Sequence, residues 1–60
     1  MYTIRIKEKK ASRPEELCSF EVLEDAIDMF DDVCNEYYNV KLVLNNRTTI
    51  MEQLNHDYAD

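Results

Sequence analysis

The sequence predicts an α+β fold: a small β-α-β-β domain in which a three-stranded antiparallel sheet packs on one long amphipathic helix. Three patterns carry that expectation. Tyr2, Ile4 and Ile6 alternate with Thr3, Arg5 and Lys7; Phe20, Leu23, Ile27, Phe30, Cys34 and Tyr37 recur at steps of three or four; and a branched apolar run, Val40-Lys41-Leu42-Val43-Leu44, follows. A chain of 60 residues makes one domain at most. It buries only about 60% of the surface its unfolded form exposes, so dimerisation or docking on a larger protein is expected. Its hydrophobic fraction of 45% is nevertheless well above that of a disordered chain.

The first strand is predicted over about residues 2–8, with one apolar and one polar face. Lys9 to Glu16 has no period and contains Pro14, which biases Arg13 away from helical angles, so the segment reads as a loop. Ser19 is the expected N-cap of a helix over about residues 20–37, with Cys18 and Leu23 placed for a hydrophobic staple. Ala26 and Val33 widen the apolar stripe of that helix. A strand is predicted over about residues 40–44, and Asn45-Asn46, which tolerate left-handed angles, suit a tight connection after it.

Residues 48–54 admit two periods. As a strand they follow a three-residue turn at Asn45–Arg47, with Thr48 opposite Leu44 and Ile50 opposite Leu42. As a helix, Thr49 and Glu52 form a capping box with Ile50, Leu54 and Tyr58 inside. The strand is preferred, because a hairpin added to the first strand gives a sheet wide enough to cover the helix. Pairing the first strand with the third gives order 1-3-2 and makes every neighbour antiparallel. Residues 55–60 are left as a polar tail.

Charge is distributed unevenly along this chain. From Pro14 to Val40 there are nine carboxylates (Glu15, Glu16, Glu21, Glu24, Asp25, Asp28, Asp31, Asp32, Glu36) and no Lys or Arg, whereas residues 1–13 sum to +4 and residues 41–60 to −1, giving the net −6. On the predicted helix, Glu21, Glu24, Asp25, Asp28, Asp31 and Asp32 line the face opposite the apolar stripe, without the cations that would ordinarily sit one turn away. Val22 and Met29 border that face, and Tyr38 ends it. Apolar side chains rimmed by carboxylates make a protein-binding surface, in which burial supplies affinity and charge steers approach. The same carboxylates also suit a purely solubilising role, and Glu21 suits the helix dipole.

Other chemistry finds little footing. Cys18 and Cys34 are too few for a tetrahedral sulfur site and read as free thiols, and His56 has no ligand partner at metal-binding spacing. Asp28, Asp31 and Asp32 lack the loop and glycine of a calcium site, so no metal and no cofactor is expected. No Ser-His-Asp set, phosphate-cradling loop or glycine is present, and the chain is not expected to be an enzyme. Arg5, Lys7, Lys9, Lys10 and Arg13 form a basic start, but the acidic middle opposes phosphate approach, so direct nucleic-acid binding is not expected. Those cations are read as pairing with a neighbouring subunit or solubilising the sheet edge. Without an apolar run of 18 residues or a secretory apolar segment, no membrane span or leader is expected, and a cytoplasmic location follows.

In size, charge and element order the chain resembles the very small acidic accessory proteins encoded by phages. That resemblance implies a protein that binds and inhibits or redirects a host protein in the host cytoplasm. The expected function is a non-catalytic inhibitor or adaptor that docks its acidic helix on a basic protein surface through Glu21, Val22, Glu24, Asp25, Asp28, Met29, Asp31, Asp32 and Tyr38. Two alternatives stand beside it: a nucleic-acid mimic that inhibits a DNA- or RNA-binding protein, and a structural or assembly protein acting as a homodimer. A homodimer contact is expected on the sheet or a strand edge, away from Asp28, because two acidic helices repel.

Overall fold

Alternation at the start of the chain builds a first strand, β1 (Tyr2–Lys7), that is central to a sheet and not at its edge. In the computed structural model, which describes residues 1–56, the remaining elements are β2 (Glu15–Phe20), α1 (Leu23–Val33), β3 (Asn39–Leu44) and β4 (Thr48–Leu54). The strand order is β2-β1-β3-β4, and every neighbouring pair is antiparallel.

The expected three-stranded sheet is therefore corrected to four strands. The additional strand, β2, occupies what read as the end of a loop and the start of the helix. Cys18 and Phe20, two residues apart, face the core from it, and Ser19 between them meets Thr3 through their hydroxyls at 3.1 Å. Pro14 precedes β2, and because β2 is an edge strand its flank tolerates a missing backbone donor. The sequence concealed this strand because Glu15-Glu16 have low strand propensity and the alternation that remains is only Cys18 and Phe20.

The helix is correspondingly shorter than residues 20–37. It runs over 11 residues, and its N-cap is Val22, extended at φ −108° and ψ 128°, with no side-chain cap. Ser19 lies in β2 and cannot cap it. At the other end the Cys34 N–H donates to Phe30 O at 2.8 Å, and the Glu36 N–H tightens the exit by donating to Val33 O at 2.9 Å. Phe20 and Tyr37 keep their inward orientation although neither is helical, which is why the three-to-four spacing extended too far at both ends.

The expected order, which set the strand over 48–54 between the other two, is also overturned: β1 lies directly against β3 (Asn39–Leu44), and among the described residues β4 pairs with β3 alone. This arrangement joins the two most apolar strands. Ile4 sits opposite Leu42 and Ile6 opposite Val40, and these four pack beneath Ala26, Phe30 and Val33 of α1. Burying that set away from water supplies most of the driving force, at about 1.5–3 kcal/mol per fully buried large apolar side chain.

Residues 48–54 form the preferred strand. Asn45 and Asn46 have φ of 52° and 59°, and the Arg47 N–H closes the turn on Leu44 O at 3.0 Å. Such left-handed angles are tolerated by Asn better than by most residues. Thr48 lies opposite Leu44 as expected, but a bulge between Leu42 and Val43 places Met51, not Ile50, across from Leu42. Asn55, expected in a featureless tail, closes the structure: its N–H donates to Tyr38 O at 2.8 Å, and its Nδ2 donates to the carbonyls of Cys34 (2.9 Å) and Tyr37 (2.8 Å). Residues 57–60 of the expected tail, and Tyr58 of the alternative helix, lie outside the described residues.

Candidate functional site

The 3.6-residue period that turns Ala26, Phe30 and Val33 inward turns Glu24, Asp25, Asp28, Asp31 and Asp32 outward, and all five are exposed, as is Glu21 before the helix. None of these six carboxylates has a side-chain hydrogen bond or cationic partner among the described residues. Asp28 is the most crowded, with Glu24 and Asp25 one turn before it and Asp31 and Asp32 one turn after. Each such like-charge pair costs a few tenths of a kcal/mol.

The two ends of α1 differ electrostatically. Glu24 and Asp25 lie in the first turn, where the helix dipole favours anions, but the last turn contains no basic residue. Asp31 and Asp32 therefore face the negative end of the dipole, where an anion is disfavoured by about 0.3–1 kcal/mol. Stability alone would place cations there.

The apolar members of the expected surface separate. Val22 is 52% exposed at the N-cap, adjoining Glu21 and Glu24. Met29 is partly buried and packs against the core. Tyr38 lies beyond the helix, and its ring carries Lys7 Nζ at 5.8 Å from the centroid, so it belongs with the sheet and not with the acidic row. Tyr37 packs against the core. The acidic face thus retains Val22 at one end, while Met29 contributes at its margin.

On the opposite side of the sheet a second charged surface appears, which sequence reading did not assemble. The register sets Glu16 opposite Arg5, Arg5 opposite Lys41, and Lys41 opposite Glu52, so one charged row crosses all four strands. Alternation places this row on the face away from α1, because Ile4, Ile6, Val40 and Leu42 occupy the other. Its members are tied locally. Lys41 Nζ lies 3.9 Å from Glu52 Oε2, the Arg5 guanidinium donates to Asn46 Oδ1 at 3.0 Å, and Glu16 Oε1 accepts from the Ser19 hydroxyl at 2.7 Å. Among the described residues, Arg5 Nε is buried without a hydrogen-bond partner. Asn39 Nδ2 joins this side to β4 by donating to Glu52 Oε2 (3.0 Å) and Gln53 O (3.2 Å). The two-residue spacing of Arg5 and Lys7 was the available sign; Glu16 required knowledge of β2.

Few features invite bond-making chemistry. A cavity of about 100 Å³ lies at the β1–β2 end, lined by Ile6, Lys7, Glu8, Ala11, Arg13 and Glu15. Ligand pockets usually have about 300–1,000 Å³. Among the described residues no group of three or more His, Cys, Asp or Glu is placed to hold a metal ion. Cys18 and Cys34 are free and partly buried, and burial, assisted by the neighbouring Glu16 charge, raises the Cys18 thiol above its ordinary 9.0. His56 is exposed. No helix among the described residues is long and apolar enough to cross a membrane. Comparison with protein-family models, curated proteins and solved structures returned no match.

Proposed function

We propose that this chain is a non-catalytic, cytoplasmic binding protein that docks the outer face of α1 on a basic surface of another protein and thereby inhibits or redirects it. The observation that carries this reading is the placement of Asp28, Asp31 and Asp32, exposed and mutually crowded, with Asp31 and Asp32 at the unfavourable end of the helix dipole. An electrostatic penalty tolerated within the folded chain is offset when a cationic partner covers it. Val22, Glu21, Glu24 and Asp25 extend the surface toward the helix start, and Met29 flanks it. The resemblance to small acidic phage-encoded accessory proteins points the same way.

A narrower form of the reading makes the partner a nucleic-acid-binding protein. Carboxylates three and four residues apart rise about 4.5–6 Å along a helix, a spacing similar to that of successive phosphates. In that form, nucleic acid and this protein compete for one site.

The test begins with affinity capture of the partner, followed by association kinetics with Asp25, Asp28 and Asp32 changed together to Lys. Electrostatic steering predicts association slowed about tenfold or more by the triple reversal, and a steep fall with added salt. Unchanged kinetics in the reversed protein at low and high salt would reject the acidic face as the docking surface. Loss of partner binding on addition of its nucleic acid selects the mimic form.

A further inference from the structure

Strand β4 is the strand that α1 covers least, because the helix packs across β1, β2 and β3, and among the described residues β4 meets the core through Met51 at its margin. It is also an edge. Within Thr48–Leu54 there is no Lys, Arg or Pro, Glu52 is the single charged residue, and Ile50 and Leu54 remain 39% and 40% exposed. The other edge differs, since β2 follows Pro14, begins with Glu15-Glu16 and is partly covered by the helix.

The backbone specifies which groups the edge offers. Because the Asn55 N–H donates to Tyr38 O, and hydrogen-bonded pairs alternate along an antiparallel ladder, Gln53 and Met51 bond inward to Val40 and Leu42. The N–H and C=O of Glu52 and Leu54 therefore point away from β3. These are donors and acceptors ready for another strand.

We propose that β4 pairs antiparallel with β4 of a second copy, with the two-fold axis passing beside Gln53. This register sets Glu52 opposite Leu54 of the partner subunit, twice by symmetry, so both outward-facing residues find backbone partners. Moving the axis to Glu52 would place two carboxylates directly across from each other, which is destabilising. The bulge at Ile50 limits the regular pairing to its C-terminal side. Because the axis stands perpendicular to the sheet, the two helices lie on the same face, each over its own β1 and β3. At about 4.8 Å per strand they are roughly 20 Å apart, beyond the screening length of about 8 Å at physiological salt. The charge that forbids a helix-to-helix dimer does not forbid this one. A strand pair of this length belongs to the small interfaces, under about 1,200 Å², so self-association is expected to be weak and concentration-dependent. The outer helix faces stay free, and the dimer does not depend on the function proposed for them.

Sedimentation equilibrium over a concentration series should show the mass rising from 7.2 kDa toward twice that value. Amide exchange at Glu52 and Leu54 should slow in parallel as the second strand covers them. Leu54→Pro removes only an outward donor and should hold the mass at the monomer value with the helical circular dichroism unchanged. If that variant unfolds, Leu54→Glu, which sets a carboxylate directly across from Glu52 of the partner subunit at both pairs and keeps the Gln53 Nε2 hydrogen bond to Asn55 Oδ1, should lower the dimer fraction several-fold. A monomer mass and concentration-independent exchange at both amides would overturn the proposal, as would a dimer that survives the substitutions.

Discussion

The two outer surfaces of this protein carry charge in different ways. On the open sheet face, Lys41 meets Glu52, Arg5 reaches Asn46, Lys7 covers Tyr38 and Glu16 accepts from Ser19. On the outer face of α1, six carboxylates stand exposed without such partners among the described residues. The sheet face ties its charged side chains to partners within the fold, Arg5 Nε excepted, whereas the helix face leaves its carboxylates open to whatever approaches. The difference distinguishes charge that answers a local structural need from charge that does not.

The strongest way to break the comparison is to remove the layer both surfaces rest on. Leu42 is 0% exposed and lies between them. Leu42→Ala should cost about 2–5 kcal/mol by leaving a cavity, and urea or thermal denaturation should show both surfaces lost in one transition. A separate loss of helix and sheet would show that they are independently held.

Asn55→Ala should have the next largest effect. It leaves the carbonyls of Cys34 and Tyr37 without their Nδ2 donor, and about 1–3 kcal/mol of stability should go with it. Proton exchange at the end of β4 should accelerate in that variant.

A pair of substitutions of opposite sign sharpens the contrast itself. Asp31→Lys or Asp32→Lys should stabilise the fold by about 0.3–1 kcal/mol, because each replaces an anion by a cation at the negative end of the helix dipole. Lys41→Ala should destabilise it, by less than about 1 kcal/mol, since its pair with Glu52 is largely solvated. If the helix substitutions destabilise as well, its carboxylates have a structural role and the comparison fails.

The smallest effect concerns Cys18. Its folded thiol titrates above 9.0, first because it is desolvated and second because Glu16 is nearby, so the unfolded chain releases this proton first as pH rises. The contribution to stability is whole below about pH 9 and declines as pH climbs toward the folded value. Comparing wild type with Cys18→Ala across pH 8–10 isolates that decline from the titration of other groups. Parallel curves would contradict the shift.

Patterns long enough to register in one face were legible before the structure. Ile4, Ile6, Ala26, Phe30, Val33 and Leu42 are core residues, the Asn45-Asn46 turn closes where its left-handed tolerance suggested, and β4 is a strand. The helix ends misled because Phe20 and Tyr37 pack on the same core from a strand and a loop, continuing a helical spacing without helical backbone. β2 was hidden because an edge strand with Glu15 and Glu16 draws its stability from its neighbour and little from its own propensity. For the candidate site, the acidic exposure was legible because a helix period sorts residues by angle alone. The charged row through Arg5 and Lys41 was not, since pairing register depends on residues distant in the chain.

The strand order has a kinetic consequence. The sheet consists of two local hairpins, β1–β2 and β3–β4, joined by a β1–β3 seam whose nearest partners, Lys7 and Asn39, are separated by most of the intervening chain. Hairpins form within about 1–10 μs, but closing a longer loop carries an entropic cost that no contact offsets until the seam zips. Ile4 and Ile6 on one side, and Val40 and Leu42 on the other, therefore wait as two half-cores until α1 spans them. During that interval either half can complete itself on the matching half of another chain, with residues 34–38 as the hinge. Domain exchange is thus a misfolding route that this topology leaves open, and dilution during refolding is the condition that suppresses it.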